Sequence, residues 1–140
     1  MNIDIAGLNW FAIIVAALVT FFIGGAWYTA LFGKFWLAQS RYTEDQMAKM
    51  HAERPMPVYF ATLIACYFVI AIFVALIVHG AGAKSLGQGV VIGLLLWCVA
   101  APIALTAHVS SPKAWGAYLV DVGYQLVYLP LMGGILAVWR

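Results

Sequence analysis

The chain has very little charge. Seven Lys and Arg and five Asp and Glu occur among 140 residues, so only 9% of the residues are charged while 66% are hydrophobic. A soluble domain typically has about 25% charged and about 45–50% apolar residues. A domain of this size has too small an interior to hide the excess apolar surface. The composition therefore excludes an ordinary soluble protein and predicts one that lies in a lipid bilayer.

Clustered reactive and basic groups are scarce too. The basic residues are scattered singly, and without a basic stripe we expect no nucleic-acid partner. Cys66 and Cys98 lie inside apolar runs without metal-binding spacing, and they are interpreted as small buried hydrophobic residues. No three ligands have zinc-type spacing, and no nucleophile is paired with a base beyond a chance Ser–His turn. We expect no metal, no cofactor and no enzymatic activity.

Four apolar runs are long enough to cross a bilayer, which takes about 20 helical residues. They predict helices over about 9–31, 58–79, 86–107 and 114–139. No basic segment precedes the first run, so we expect it to stay as a membrane helix and not to be cleaved as a signal peptide. The sequence thus predicts an all-α polytopic membrane protein, a four-transmembrane-helix bundle that forms a single domain over 1–140.

The first connection, 32–57, is long and holds most of the charge. Thr43 and Gln46 have the spacing of a capping box, which marks the start of a helix. We therefore predict a short amphipathic surface helix from about Glu44 to Glu53. The aromatic segment just before it, 35–37, is typical of the lipid interface.

The distribution of basic residues predicts the orientation, because cytoplasmic loops carry an excess of Lys and Arg. Loops 32–57 and 110–113 share one side, and their basic residues are Lys34, Arg41, Lys49, Arg54 and Lys113. The termini and loop 80–85 share the other side, with Lys84 and Arg140. This bias places loops 32–57 and 110–113 in the cytoplasm and both termini outside.

Small residues are spaced to let helices pack closely, as helix association in lipid requires. In the first helix they recur every four residues at Ala16, Thr20 and Gly24, and in the third Gly89 and Gly93 form a G-x-x-x-G pair. Each stripe can pack inside the bundle, which we favour, or against a second copy. Besides membrane lipids, we expect a homo-oligomer or other membrane protein subunits as partners.

Asp121 is the acidic residue that lies within a predicted span. It lies about 10 Å below the start of its helix, where an ionised carboxylate costs about 2.5–3.5 kcal/mol. Asp121 shares helical spacing with Tyr118, Tyr124, Gln125 and Tyr128, and these residues form one polar stripe. This stripe must face protein or a water-filled cavity.

Other polar residues come to the same depth from neighbouring helices. We predict a polar pocket, open to the cytoplasmic leaflet, whose lining residues are Tyr28, Tyr118, Asp121, Gln125 and His108. Lys34 can extend back toward it from the interface. The alternative is that Asp121 is structural, hydrogen-bonded to Tyr28 or Thr29, and holds the fourth helix to the first.

The end of the first helix, 24–36, reads GGAWYTALFGKFW. This series resembles a family of small bacterial membrane proteins known as domain of unknown function 1761. The pair Gly123 and Tyr124 and the segment 132–134 are similar to the closing part of that family. The resemblance covers nearly the whole chain and implies a multi-pass protein of the bacterial inner (plasma) membrane. It implies no particular activity.

Two functions therefore stay open. The first is a non-enzymatic binding or transporter-like unit that uses the pocket around Asp121. The second is an accessory or scaffold subunit of a larger membrane complex, in which the small-residue stripes are docking faces. A third function, a membrane enzyme that acts on lipid, is disfavoured because the sequence has no paired catalytic groups.

Overall fold

The computed structural model describes residues 5 and 7–139, and the regular secondary structure of this part of the chain is helical. Its helices are α1 (Trp10–Ala26, continued by a π-helical turn, Trp27–Leu31), α2 (Gly33–Ser40), α3 (Glu44–Glu53), α4 (Met56–Gly80), α5 (Leu86–Val109) and α6 (Trp115–Val138). Four spans are long and apolar enough to cross a membrane: α1 with its π-helical turn, α4, α5 and α6. This confirms the predicted all-α, four-spanning fold, with helix ends that differ from the prediction by at most two residues.

Side chains at the helix starts explain where the helices begin. Asn9 accepts a hydrogen bond from the backbone N–H of Ala12 and thereby caps α1. Thr43 and Gln46 form the predicted capping box of α3, with both reciprocal hydrogen bonds present. A second capping box begins α5. The surface helix α3 has the predicted bounds.

The first connection also contains α2, which the sequence did not predict. The segment 35–37 lies within this helix, and Phe35 and Leu37 are exposed as expected of an interfacial segment. Trp36 is only half exposed and turns toward the bundle. The backbone N–H of Ala114 donates to the Gln39 carbonyl over 2.9 Å, which joins α2 to the chain entering α6.

Helix α6 is the centre of the bundle, because it packs against α1, α2, α4 and α5. Its contact with α5 depends on glycine. A Cβ at Gly89 would overlap the Gly133 carbonyl, and one at Gly93 would overlap the Leu129 carbonyl and Pro130. Here two helix backbones touch, as close packing in lipid requires.

The small-residue stripes lie inside the bundle. Ala16 and Thr20 are 1% and 2% exposed, and Gly24, Gly89 and Gly93 are buried as well. The Tyr124 hydroxyl donates to the Thr20 carbonyl over 2.7 Å, so α6 packs against the small-residue stripe of α1. In this structure, helices of the same chain cover both stripes.

Helix α4 packs against the rest of the bundle over only part of its length. Helix α4 buries Ala71, Val74, Ala75 and Val78, all in its second half. Its first half, residues 56–70, has no buried residue. Helix α4 touches α5 sparsely although the two are joined by a short turn. The bundle is therefore closed near loop 81–85 and open between α4 and α5 at its other end.

The two cysteines correct the sequence-based interpretation. Cys66 on α4 and Cys98 on α5 are both free thiols and both exposed. Other helices of this chain do not cover either side chain. An apolar surrounding sequence therefore did not mean a buried position in the protein.

The described basic residues used for the orientation lie at the expected ends. The hydrogen bond between Ala114 and Gln39 joins the connections 32–55 and 110–114 at one end of the bundle. Lys84 lies in the short turn at the other end. Arg140 and residues 1–4 lie outside the described residues. Which end faces the cytoplasm stays a prediction.

A candidate binding cleft around Asp121

Asp121 is held by two hydrogen bonds from other helices. The Tyr28 hydroxyl donates to Asp121 Oδ1 over 2.7 Å. The Trp36 indole N–H donates to the same oxygen over 2.9 Å. Asp121 thus ties α6 to the end of the first span and to α2. Tyr28 was a partner expected from the sequence.

The π-helical turn lies where α1 meets Asp121. Trp27 donates its indole N–H to the Val120 carbonyl over 3.1 Å, so consecutive residues of this turn reach consecutive residues of α6. A π-helical turn is rare and occurs often at functional sites. Just after it, a Cβ at Gly33 would lie 2.7 Å from the Tyr28 carbonyl oxygen. Glycine at this position lets α2 fold back beside Tyr28.

A cleft of about 760 Å³ opens beside Asp121. It lies between the first half of α4 and the last part of α5, and it also borders α1, α2 and α6. The five residues predicted to form a pocket all line it: Tyr28, Tyr118, Asp121, Gln125 and His108. Small-molecule sites typically have volumes of about 300–1,000 Å³ and mostly apolar, aromatic walls. The cleft has the size of such a site, and ligand binding by these residues stays a prediction.

Tyrosines surround the carboxylate. The rings of Tyr124 and Tyr128 are 4.8 Å apart between centroids, and Tyr28 lies 5.5 Å from Tyr124. Tyr67, from α4, closes the group at 5.8 Å from Tyr128. These tilted and edge-to-face contacts are the arrangements that aromatic rings prefer. The cleft wall next to Asp121 is therefore a packed aromatic cluster.

Three hydroxyl donors of this wall are occupied by the protein itself. Tyr28 donates to Asp121, Tyr124 to the Thr20 carbonyl, and Tyr118 to the Ala101 carbonyl over 3.1 Å. Among the described residues, Gln125 Oε1 is the buried side-chain atom that has no hydrogen-bond partner. The unpaired buried side-chain atom in the described cleft lining is therefore an acceptor oxygen.

The cation near the cleft is Lys113 and not Lys34. Lys113 Nζ lies 5.2 Å from the ring centroid of Trp36 and 5.7 Å from that of Tyr42. Lys34 is exposed and does not line the cleft, so the expectation that it reaches the pocket is wrong. Thr29 is not a partner of Asp121 either, because its hydroxyl donates to the Gly25 carbonyl over 2.6 Å.

Sequence reasoning missed three residues of the site. The sequence predicts Trp36 to lie at the lipid interface, gives no signal for Tyr67, and indicates only the orientation through Lys113. Gly33 was the available signal for Trp36, because a residue without a side chain permits a close reversal after the first span. Within the described chain, no three His, Cys, Asp or Glu side chains lie where they could hold a metal ion together.

The comparisons with known proteins give a family and no activity. A family model described as protein of unknown function (DUF1761) matches residues 11–137. No curated protein and no solved structure matches the chain. The matched range contains every residue that lines the cleft.

Proposed function

The chain belongs to the DUF1761 family of proteins of unknown function, and from the geometry of its cleft we propose that it is a non-enzymatic binding or transporter-like unit of the membrane. It holds a small molecule beside Asp121. One observation carries the proposal: a 760 Å³ cleft in which Tyr28 of the first span and His108 of α5 converge with Tyr118, Asp121 and Gln125 of α6.

A purely structural role for Asp121 explains less of this geometry. Two donors suffice to hold the carboxylate between α1, α2 and α6. The neighbouring Gln125 Oε1 is buried and unpaired, which typically costs about 1–3 kcal/mol. A bound molecule that offers positive charge or a donor would offset that cost. The adjoining open volume gives such a molecule room.

The open side of the cleft supports entry from the membrane. Tyr59 and Phe60 on the first half of α4 line the cleft and are 46% and 42% exposed. A hydrophobic molecule dissolved in the lipid can therefore reach the site between α4 and α5. We propose that this opening lies in the cytoplasmic leaflet, on the basis of the basic residues at the same end. The resemblance to a family of bacterial membrane proteins supports the bacterial inner membrane as its location.

Native mass spectrometry of the protein in a gentle detergent tests the proposal. The wild-type protein is expected to retain a small-molecule mass. Ala107→Trp fills the cleft, because Ala107 lines it on α5, and should lose that mass. Val99→Trp is the matched control, because Val99 lies on the same helix, is 60% exposed and does not line the cleft. It should keep the mass.

The same spectra test the alternative function and the oligomeric state. A wild-type protein with no retained small molecule, but with other membrane proteins in fixed stoichiometry, would overturn the proposal. It would support an accessory or scaffold subunit instead. The mass of the ligand-bound species also tests the predicted homo-oligomer.

A further inference from the structure

Lys113 and His108 of the cleft lining can donate hydrogen bonds, whereas the Asp121 carboxylate and Gln125 Oε1 on α6 accept them. Tyr28, Tyr118 and Tyr124 donate their hydroxyl hydrogens to protein oxygens. Among the described residues, Gln125 Oε1 is left as a buried acceptor without a donor, next to the Asp121 carboxylate on the same helix face. Both groups present negative charge or the negative end of a dipole. They attract a positively charged ligand and repel an anion.

The aromatic wall has the same preference. The face of an aromatic ring attracts cations within about 6 Å of its centroid, more strongly when water is excluded. The protein already uses this attraction at the edge of the cleft, where Lys113 Nζ lies 5.2 Å from the Trp36 centroid. Tyr28, Tyr124 and Tyr128 also line the cleft, and Tyr28 is hydrogen-bonded to Asp121.

We propose that the cleft binds a hydrophobic organic cation. Its charged group lies between Asp121, Gln125 and the tyrosine rings, and its apolar groups fill the space between α4 and α5. This assignment rests on the proposed function, because it names the ligand class of the same site. Lys113 also lines the cleft, and its positive charge favours a ligand whose charged group is at Asp121 and whose remaining part is apolar.

A pair of ions with equal shape and opposite charge tests the assignment. Tetraphenylphosphonium and tetraphenylborate are nearly the same size, so their binding differs mainly by the sign of the charge. We would measure the equilibrium binding of each ion to the purified protein in lipid nanodiscs, with empty nanodiscs as the blank. The wild-type protein is expected to bind the phosphonium at least about tenfold more tightly than the borate, a difference of about 1.4 kcal/mol.

Variants at position 121 show whether the carboxylate provides the selectivity. Asp121→Asn keeps the side-chain shape and should weaken phosphonium binding about tenfold or more. Asp121→Glu keeps the charge and should retain the preference for the cation. Thermal unfolding of each variant checks that it is folded. Equal phosphonium affinity in folded Asp121→Asn would overturn the assignment.

The remaining outcomes separate the ligand class from the proposed function. If both ions bind equally and Ala107→Trp blocks both, the cleft is a binding site and the assignment to cations is wrong. Tighter binding of the borate would lead to the same conclusion. If neither ion binds above the blank, the cation assignment again fails. The retained mass in native spectra then decides separately whether the cleft binds any other molecule.

Discussion

The two halves of α4 meet the rest of the bundle in opposite ways. Near loop 81–85 the helix buries Ala71, Val74, Ala75 and Val78, and it packs tightly. At the other end it presents Tyr59, Phe60, Leu63 and Tyr67 to an open cleft. Both halves are strongly apolar, so hydrophobicity does not distinguish them. In a bilayer, side-chain size decides which helices touch, because lipid is as apolar as a protein core.

The largest effect is expected where two backbones touch at the closed end. A Cβ at Gly93 would overlap the Leu129 carbonyl and Pro130, which no rotamer change can relieve. Gly93→Ala should therefore lower the free energy of unfolding by about 3 kcal/mol, the upper part of the range for overpacking. Unfolding by SDS in mixed micelles measures it.

Gly87→Ala is the control for Gly93→Ala, because it lies on the same helix. No atom comes within 4 Å of a Cβ built at Gly87. Alanine also favours a helix over glycine. The stability of Gly87→Ala should be equal to the wild type or slightly higher. Equal stability of the two variants would mean that α5 and α6 do not touch at Gly93.

A smaller loss is expected where the obstacle is a side chain at the open end. A Cβ at Gly24 would lie 2.7 Å from the Tyr124 hydroxyl oxygen, which is bonded to the Thr20 carbonyl. The tyrosine can shift, at the cost of that hydrogen bond. Gly24→Ala should therefore lose about 1 kcal/mol in the same unfolding assay.

The neighbouring residue, Gly25, provides the matched control for Gly24→Ala. No atom lies within 4 Å of a Cβ at Gly25, so Gly25→Ala should leave the free energy of unfolding nearly unchanged. A loss at Gly24 as large as that at Gly93 would show that Tyr124 cannot move. The open end would then be as rigid as the closed end, and the contrast between them would be wrong.

Depth along the membrane was predictable from the sequence. Hydropathy and helix length set where each span begins and ends, and antiparallel neighbours then bring residues of equal depth together. This reasoning placed Tyr28, His108 and Asp121 at one level, and the structure has all three on one cleft. The depth of each of these side chains in the membrane therefore followed from its position in the chain alone.

Rotation about each helix axis was not predictable in the same way. Cys66 lies one residue before Tyr67 on α4, yet the thiol is exposed and the tyrosine lines the cleft. A helix that is apolar all round carries little periodic signal about which face meets protein. Trp36 was missed for a related reason, because an interfacial tryptophan and one that bonds a carboxylate look alike in sequence.

The smallest change in the free energy of unfolding is expected for a substitution at Gln125. Unlike the losses at Gly93 and Gly24, it should be zero or a gain in stability. Its buried Oε1 has no hydrogen-bond partner among the described residues. Gln125→Met keeps the side-chain length and removes an unpaired acceptor, so the ligand-free protein should be as stable as the wild type or more stable by up to about 1 kcal/mol. Thermal or SDS unfolding of ligand-free protein measures this difference.

Tyr118→Phe provides the opposite case on the same helix face. The Tyr118 hydroxyl donates to the Ala101 carbonyl, so its removal should cost about 1 kcal/mol. If Gln125→Met lowered the free energy of unfolding as much as Tyr118→Phe, the Oε1 atom of Gln125 would have to be paired in the folded wild-type protein. This helix face would then be structural throughout, as the alternative interpretation of Asp121 holds. If Gln125→Met is neutral or stabilising and weakens ligand binding, the fold retains the unpaired oxygen for the ligand.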